Sequence, residues 1–172
     1  MSRFFLPALG LALLASAASA HSTLENREAA QGATTKFVLR VPHGCDGQAT
    51  LKVRIQIPDG LIAVKPMPKA GWTLETVRGP YSKTYGTGHS KLSEGVTGIT
   101  WTGELPDDWY DEFIFRGMVT DAFAVDSMVF IPVVQDCADG AERWIEIPAE
   151  GQDPHDLEMP APGFRVIAGP GH

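Results

Sequence analysis

Residues 51–57 alternate apolar Leu51, Val53, Ile55 and Ile57 with polar Lys52, Arg54 and Gln56. A period of two places all four apolar side chains on one face of a strand, whereas a helix would scatter them around its circumference. The segment is therefore a strand with one buried and one wet face. The same signal recurs at 37–41, 98–102 and 110–118, where Phe113 and Phe115 share a face opposite Glu112, Ile114 and Arg116. Residues 72–77 and 81–85 read as two short strands around a Gly79-Pro80 turn, and 61–64 as another short strand before Pro66 and Pro68. The Gly- and Ser-rich stretch 85–95 reads as an exposed loop. Residues 127–134, nearly all apolar, are expected to form a central strand packed on both sides. No stretch carries a useful helical period. Many short strands between turn signals such as Pro58-Asp59-Gly60 indicate an all-β fold, an antiparallel β-sandwich.

The first twenty residues have a different logic. Arg3, an apolar run over 4–15 and small residues from Ser16 to Ala20 make up the three parts of a secretory signal peptide. Ala18 and Ala20 fit the small-residue rule for cleavage between Ala20 and His21. The domain expectation is thus a signal peptide over 1–20, a β-sandwich over 21–150, and a Pro/Gly-rich irregular tail over 151–172. The expected location is the periplasm or the secreted fraction, with no membrane span in the mature protein. Loss of Arg3 leaves 13 basic against 21 acidic residues, a net charge of −8. That balance argues against nucleic acid and anionic lipid as partners and suits a protein that holds a cation.

The chain has two cysteines, Cys45 and Cys137. In an oxidising compartment this isolated pair reads as a disulfide, with a two-thiolate metal site as the alternative. Closing so long a loop stabilises by about 4 kcal/mol in the chain-entropy account.

Cleavage after Ala20 would leave His21 as the first residue, where the free α-amine and the imidazole can chelate one metal ion. Two nitrogen donors suit Cu(II), which also tops the divalent affinity order. The terminus alone is equally compatible with a histidine that starts the mature chain by accident. His43, His89, His155 and His172 are each either a second imidazole or a solvated surface residue. Thr23 occupies the third mature position, which excludes an amino-terminal copper clamp that needs histidine there. Along 142–147, Ile145 and Ile147 share one face, which leaves Trp144 with Glu142 and Glu146 on the other. Such a tryptophan is either covered by another segment or lines a site, where its ring can face a cation. Glu112, opposite Phe113 and Phe115, is either solvated or a hard oxygen ligand, with Glu104 and Asp111 as substitutes. There is no nucleophile elbow, zinc-protease helix motif, phosphate loop or dinucleotide fingerprint.

The ordered set His21, His43-Gly44-Cys45-Asp46-Gly47, Ile57-Pro58-Asp59-Gly60, residues 64–68, Gly71-Trp72, Ile99-Thr100-Trp101, Glu112-Phe113-Ile114-Phe115, Val134-Gln135-Asp136-Cys137 and Trp144 resembles the YcnI-like family of bacterial exported copper-binding proteins. The resemblance implies a cupredoxin- or fibronectin III-like sandwich and a Cu(II) site on the amino-terminal histidine, half of the two-histidine brace of copper monooxygenases. It assigns the metal site to His21, Glu112 and Trp144. It implies copper sequestration or delivery rather than catalysis, with a periplasmic copper chaperone or membrane copper transporter as partner. A copper-dependent oxidase or polysaccharide monooxygenase, and a metal-free exported interaction module, are the alternatives. Neither the C-terminal membrane helix nor the fused chaperone domain of some relatives is read in residues 21–172, so a diffusible protein is the expectation.

Overall fold

A computed structural model describes residues 21–87 and 90–169. The signal-peptide assignment, His89 and His172 lie outside the described residues. The chain runs through β1 (Thr23–Leu24), β2 (Glu28–Ala30), β3 (Thr34–Val41), β4 (Thr50–Gln56), β5 (Leu61–Pro66) and β6 (Thr73–Gly86). It continues through β7 (Lys91–Leu105), β8 (Asp111–Val119), β9 (Met128–Phe130), β10 (Val133–Asp136), β11 (Ala141–Trp144) and β12 (Gly163–Ile167). The one helical element among the described residues is a short 3-10 turn, Pro154–Asp156.

Two antiparallel sheets form the sandwich: a four-stranded sheet in the order β1-β3-β8-β5 and a five-stranded sheet in the order β11-β10-β4-β7-β6. Their inward residues are the ones the alternation selects, with one correction: Leu51 is 38% exposed rather than buried with Val53, Ile55 and Ile57, because the β4–β7 register shifts between Thr50 and Lys52. Phe37, Leu39, Val41, Phe113 and Phe115 come from one sheet, and Val53, Ile55, Ile99 and Trp101 from the other. Trp101 and Phe113 meet across the interface with ring centroids 5.4 Å apart. The Trp101 indole N–H donates to the Met67 carbonyl at 3.2 Å, so its polar atom is satisfied in the core. Such burial of large aromatics on both inner faces is what drives the two sheets together.

The structure corrects several sequence expectations. Residues 73–86 form one long strand through Gly79-Pro80, and the expected 85–95 loop is largely strand, because β6 and β7 pair as a single hairpin. Proline is tolerated in β6 and β5 because both are sheet edges, where an N–H is not required by a neighbour. The apolar run 127–134 is two strands in different sheets, β9 and β10, separated by Ile131-Pro132. Pro132 lacks the donor that a continuous ladder would need.

The expected irregular tail is also corrected. Residues 163–167 form the middle strand of a third sheet, β2-β12-β9, in which β12 runs parallel to β2. Phe164 and Val166 are fully buried, and Phe164 lies 4.9 Å from Phe37 between ring centroids. Cys45 and Cys137 form a disulfide that joins the β3–β4 loop to the end of β10.

Candidate metal site at the amino-terminal edge

The chain enters the fold through β1, pinned at the edge of the four-stranded sheet. Thr23 is in register with Arg40, and the Glu25 N–H donates to Val38 O at 2.9 Å. Leu24 supplies the apolar anchor, 5% exposed in the core. This two-residue strand leaves His21 just beyond its start, half-buried at one end of the sandwich. There the His21 ring meets the Trp144 indole edge-on, with centroids 5.5 Å apart and an interplanar angle of 81°.

Trp144 reaches that contact from inside the core. It is 2% exposed, whereas Ile145 and Ile147 are 40% and 58% exposed. The face assignment along 142–147 is therefore the reverse of the sequence expectation. The reason is that β11 ends at Trp144, so Ile145 and Ile147 do not continue its alternation as a second core face. Trp144 pairs with Val133 of β10, whose partner on β4 is Ile55. The reading that an N-terminal segment covers this tryptophan fits the observed His21 contact.

The indole N–H donates to Gln135 Oε1 at 3.3 Å. Gln135 has no solvent exposure, and its amide donates to His43 O at 2.6 Å and Thr50 Oγ1 at 2.7 Å. Gln135 does not stand out as a site residue in the sequence. The signal was present: Val133, Gln135 and Cys137 share one face, and a core valine and a bridged cysteine flank the glutamine.

Glu112 sits two strands away from β1. Its Oε1 accepts from Arg40 Nε at 3.3 Å, while Arg40 also donates to Glu25 Oε2 at 2.9 Å. All three side chains lie on the outer face, partly or largely solvated. The structure thus brings His21 and Trp144 together and gives Glu112 to Arg40. Asp111 is held by Lys69 at 2.6 Å and caps the Glu112 N–H at 2.8 Å, and Glu104 is exposed. His43 turns Nδ1 toward Gly44 O at 2.6 Å, and His155 is exposed in the 3-10 turn. Among the described residues no three His, Cys, Asp or Glu side chains converge into a metal cage. A metal at this end would therefore be held mainly by the two nitrogens of a free His21.

The Ser22 side chain faces inward, 2% exposed, and its Oγ has no hydrogen-bond partner among the described residues. The β3–β4 loop beside the site is tightly closed. A Cβ on Gly44 would lie 1.8 Å from Gln48 O and 2.8 Å from Asp107 Oδ1, so only glycine fits.

Away from this end, Asp59 in the β4–β5 turn accepts hydrogen bonds from the Ser82 hydroxyl and the Tyr85 hydroxyl. Burial pushes its carboxyl up, but these bonds outweigh it and hold the pKa below the ordinary value. The cluster ties the β6 edge to the turn.

A family model for a domain of unknown function, DUF1775, matches residues 21–166 of this chain. The match begins at His21 and reaches Val166 in β12, in agreement with a core that extends past residue 150. The solved structure of an uncharacterized protein from Nocardia farcinica, described as revealing an immunoglobulin-like fold, is similar with a TM-score of 0.64. It is 22% identical and covers 86% of this chain and 99% of its own, which supports the sandwich architecture. No curated protein matches the chain.

Proposed function

Because the chain belongs to the DUF1775 family, the YcnI-like proteins, we propose that it is an exported Cu(II)-binding protein that sequesters or delivers copper and is not an enzyme. The observation that carries this reading is the edge-on contact between half-buried His21 and buried Trp144. In this reading the leader is removed between Ala20 and His21, which turns a peptide nitrogen into an amine. The α-amine and imidazole then form a two-nitrogen chelate suited to Cu(II). The amine ordinarily titrates at about 8, so binding displaces a proton and strengthens as pH rises through that range.

Trp144 acts as a rigid wall that limits water on one side of the ion. Glu112 is the proposed carboxylate ligand, and to reach the ion its side chain must first leave Arg40. Its exposed pair with Arg40 is worth about 1 kcal/mol or less, and Arg40 keeps Glu25 when Glu112 leaves. The cargo is copper in the periplasm or secreted fraction, and a periplasmic chaperone or membrane copper transporter is the proposed donor or acceptor.

Copper titration of the chain beginning at His21 tests the proposal against His21→Ala and against a chain with one residue added before His21. Both variants are expected to bind at least about 100-fold more weakly, since each removes one arm of the chelate. Unchanged affinity in both refutes it.

A further inference from the structure

Resting on the copper reading, we propose that Gln135 is a positioning residue for the metal end, fixing the Trp144 ring against His21. The side chain is fully buried between Val133 and Cys137 on the inward face of β10. A buried glutamine amide demands partners for both its ends. Its orientation here is dictated by chemistry. His43 O can only accept and the Trp144 indole N–H can only donate, so Nε2 must face the first and Oε1 the second. A flipped amide would set donor against donor at Trp144.

The consequence falls on Trp144. The only polar atom of the indole is tied to Gln135 Oε1 at 3.3 Å, which selects one setting of the ring about its side-chain torsions. That setting presents the ring to His21 at 5.5 Å. Gln135 is itself held at its other end by His43 O and by fully buried Thr50. His43 lies two residues before Cys45, and Gln135 two before Cys137, so the disulfide clamps the same two segments that the amide bridges. A continuous chain therefore runs from the covalent clamp through His43 O, Gln135 and Trp144 to His21. A glutamine that only filled the core would need no such connection to the terminus.

The test compares the chain beginning at His21 with Gln135→Met, which keeps length and volume but removes all three hydrogen bonds. In copper-free protein, NMR reads the displacement of the His21 imidazole proton shifts by the Trp144 ring current. In copper-loaded protein, titration and electron paramagnetic resonance read affinity and geometry. A folded Gln135→Met protein is expected to lose the His21 displacement, change the copper spectrum and bind about tenfold more weakly. Unchanged His21 shifts and an unchanged spectrum in a folded variant overturn the proposal. Should the variant fail to fold, indole hydrogen exchange in the unsubstituted protein decides. The Trp144 N–H is expected to exchange far more slowly than that of Trp109, which is 65% exposed; equal rates overturn the proposal. If His21→Ala leaves copper binding intact, the copper reading fails, while the copper-free His21 shifts still decide the role of Gln135.

Discussion

Replacing Phe164 by alanine puts the position of β12 to a quantitative test. Phe164 has no exposure, and its ring lies 4.9 Å from Phe37, which stacks on Phe115 at 5.2 Å. Truncating a ring so placed removes its burial and leaves a cavity between three strands that cannot all close on it. The expected cost is about 4 kcal/mol. For a domain of this size that lowers the melting temperature by about 8–16 °C. Thermal and urea unfolding of copper-free protein, with the disulfide intact in both chains, would measure it. Ile147→Ala is the control: at 58% exposure its change is expected within about 0.5 kcal/mol. A Phe164→Ala loss below about 1 kcal/mol would return residues 163–167 to the status of a loosely laid tail.

The Cys45→Ala/Cys137→Ala double variant frees a separation of 92 residues and is expected to lose about 4–5 kcal/mol in urea unfolding. Gly44→Ala should cost about 2–3 kcal/mol in the same assay, because its Cβ meets backbone rather than a flexible side chain. Asp59 has a folded pKa below its ordinary 3.8, so its contribution to stability is complete above that value and is lost as pH falls through the lowered one. Melting curves of Asp59→Asn and the unsubstituted chain should therefore lie apart at pH 6 and converge on acidification through and below 3.8; a constant gap contradicts the assignment. Glu112→Gln should weaken copper binding while leaving the metal-free melting temperature within about 2 °C, since its ion pair is exposed.

The sandwich was legible because its inward faces largely follow the alternation: Val53, Ile55, Phe37, Leu39, Phe113 and Phe115 are buried as their periods require, while Leu51 is exposed at a register shift that no local pattern reveals. The disulfide was legible from the cysteine count together with the expected oxidising compartment. The β6–β7 hairpin was not, because glycines and prolines that usually end strands are allowed along an edge. Phe164 and Val166 alternate correctly but sit in a segment too short and too proline-flanked to stand out from local pattern. Their partners, Glu28–Ala30 and Met128–Phe130, are far away in sequence.

At the site, His21 could be singled out because the expected cleavage site marks it. Trp144 could be singled out as unusual, but its face was misread because alternation was extended past the end of β11. The Arg40 pair that holds Glu112 comes from cross-strand register, Arg40 opposite Glu112, which no local pattern reveals. Gln135 carried a signal only in combination, as a polar residue between two inward neighbours.

Copper carriage is read most simply from the intact mass of the protein purified from the periplasm of an expressing bacterium under non-denaturing conditions. The expected species is a chain whose first residue is His21, two hydrogens lighter than its reduced form, carrying one copper ion. A chain beginning elsewhere, or one beginning at His21 and free of copper after growth in copper-supplemented medium, would contradict it.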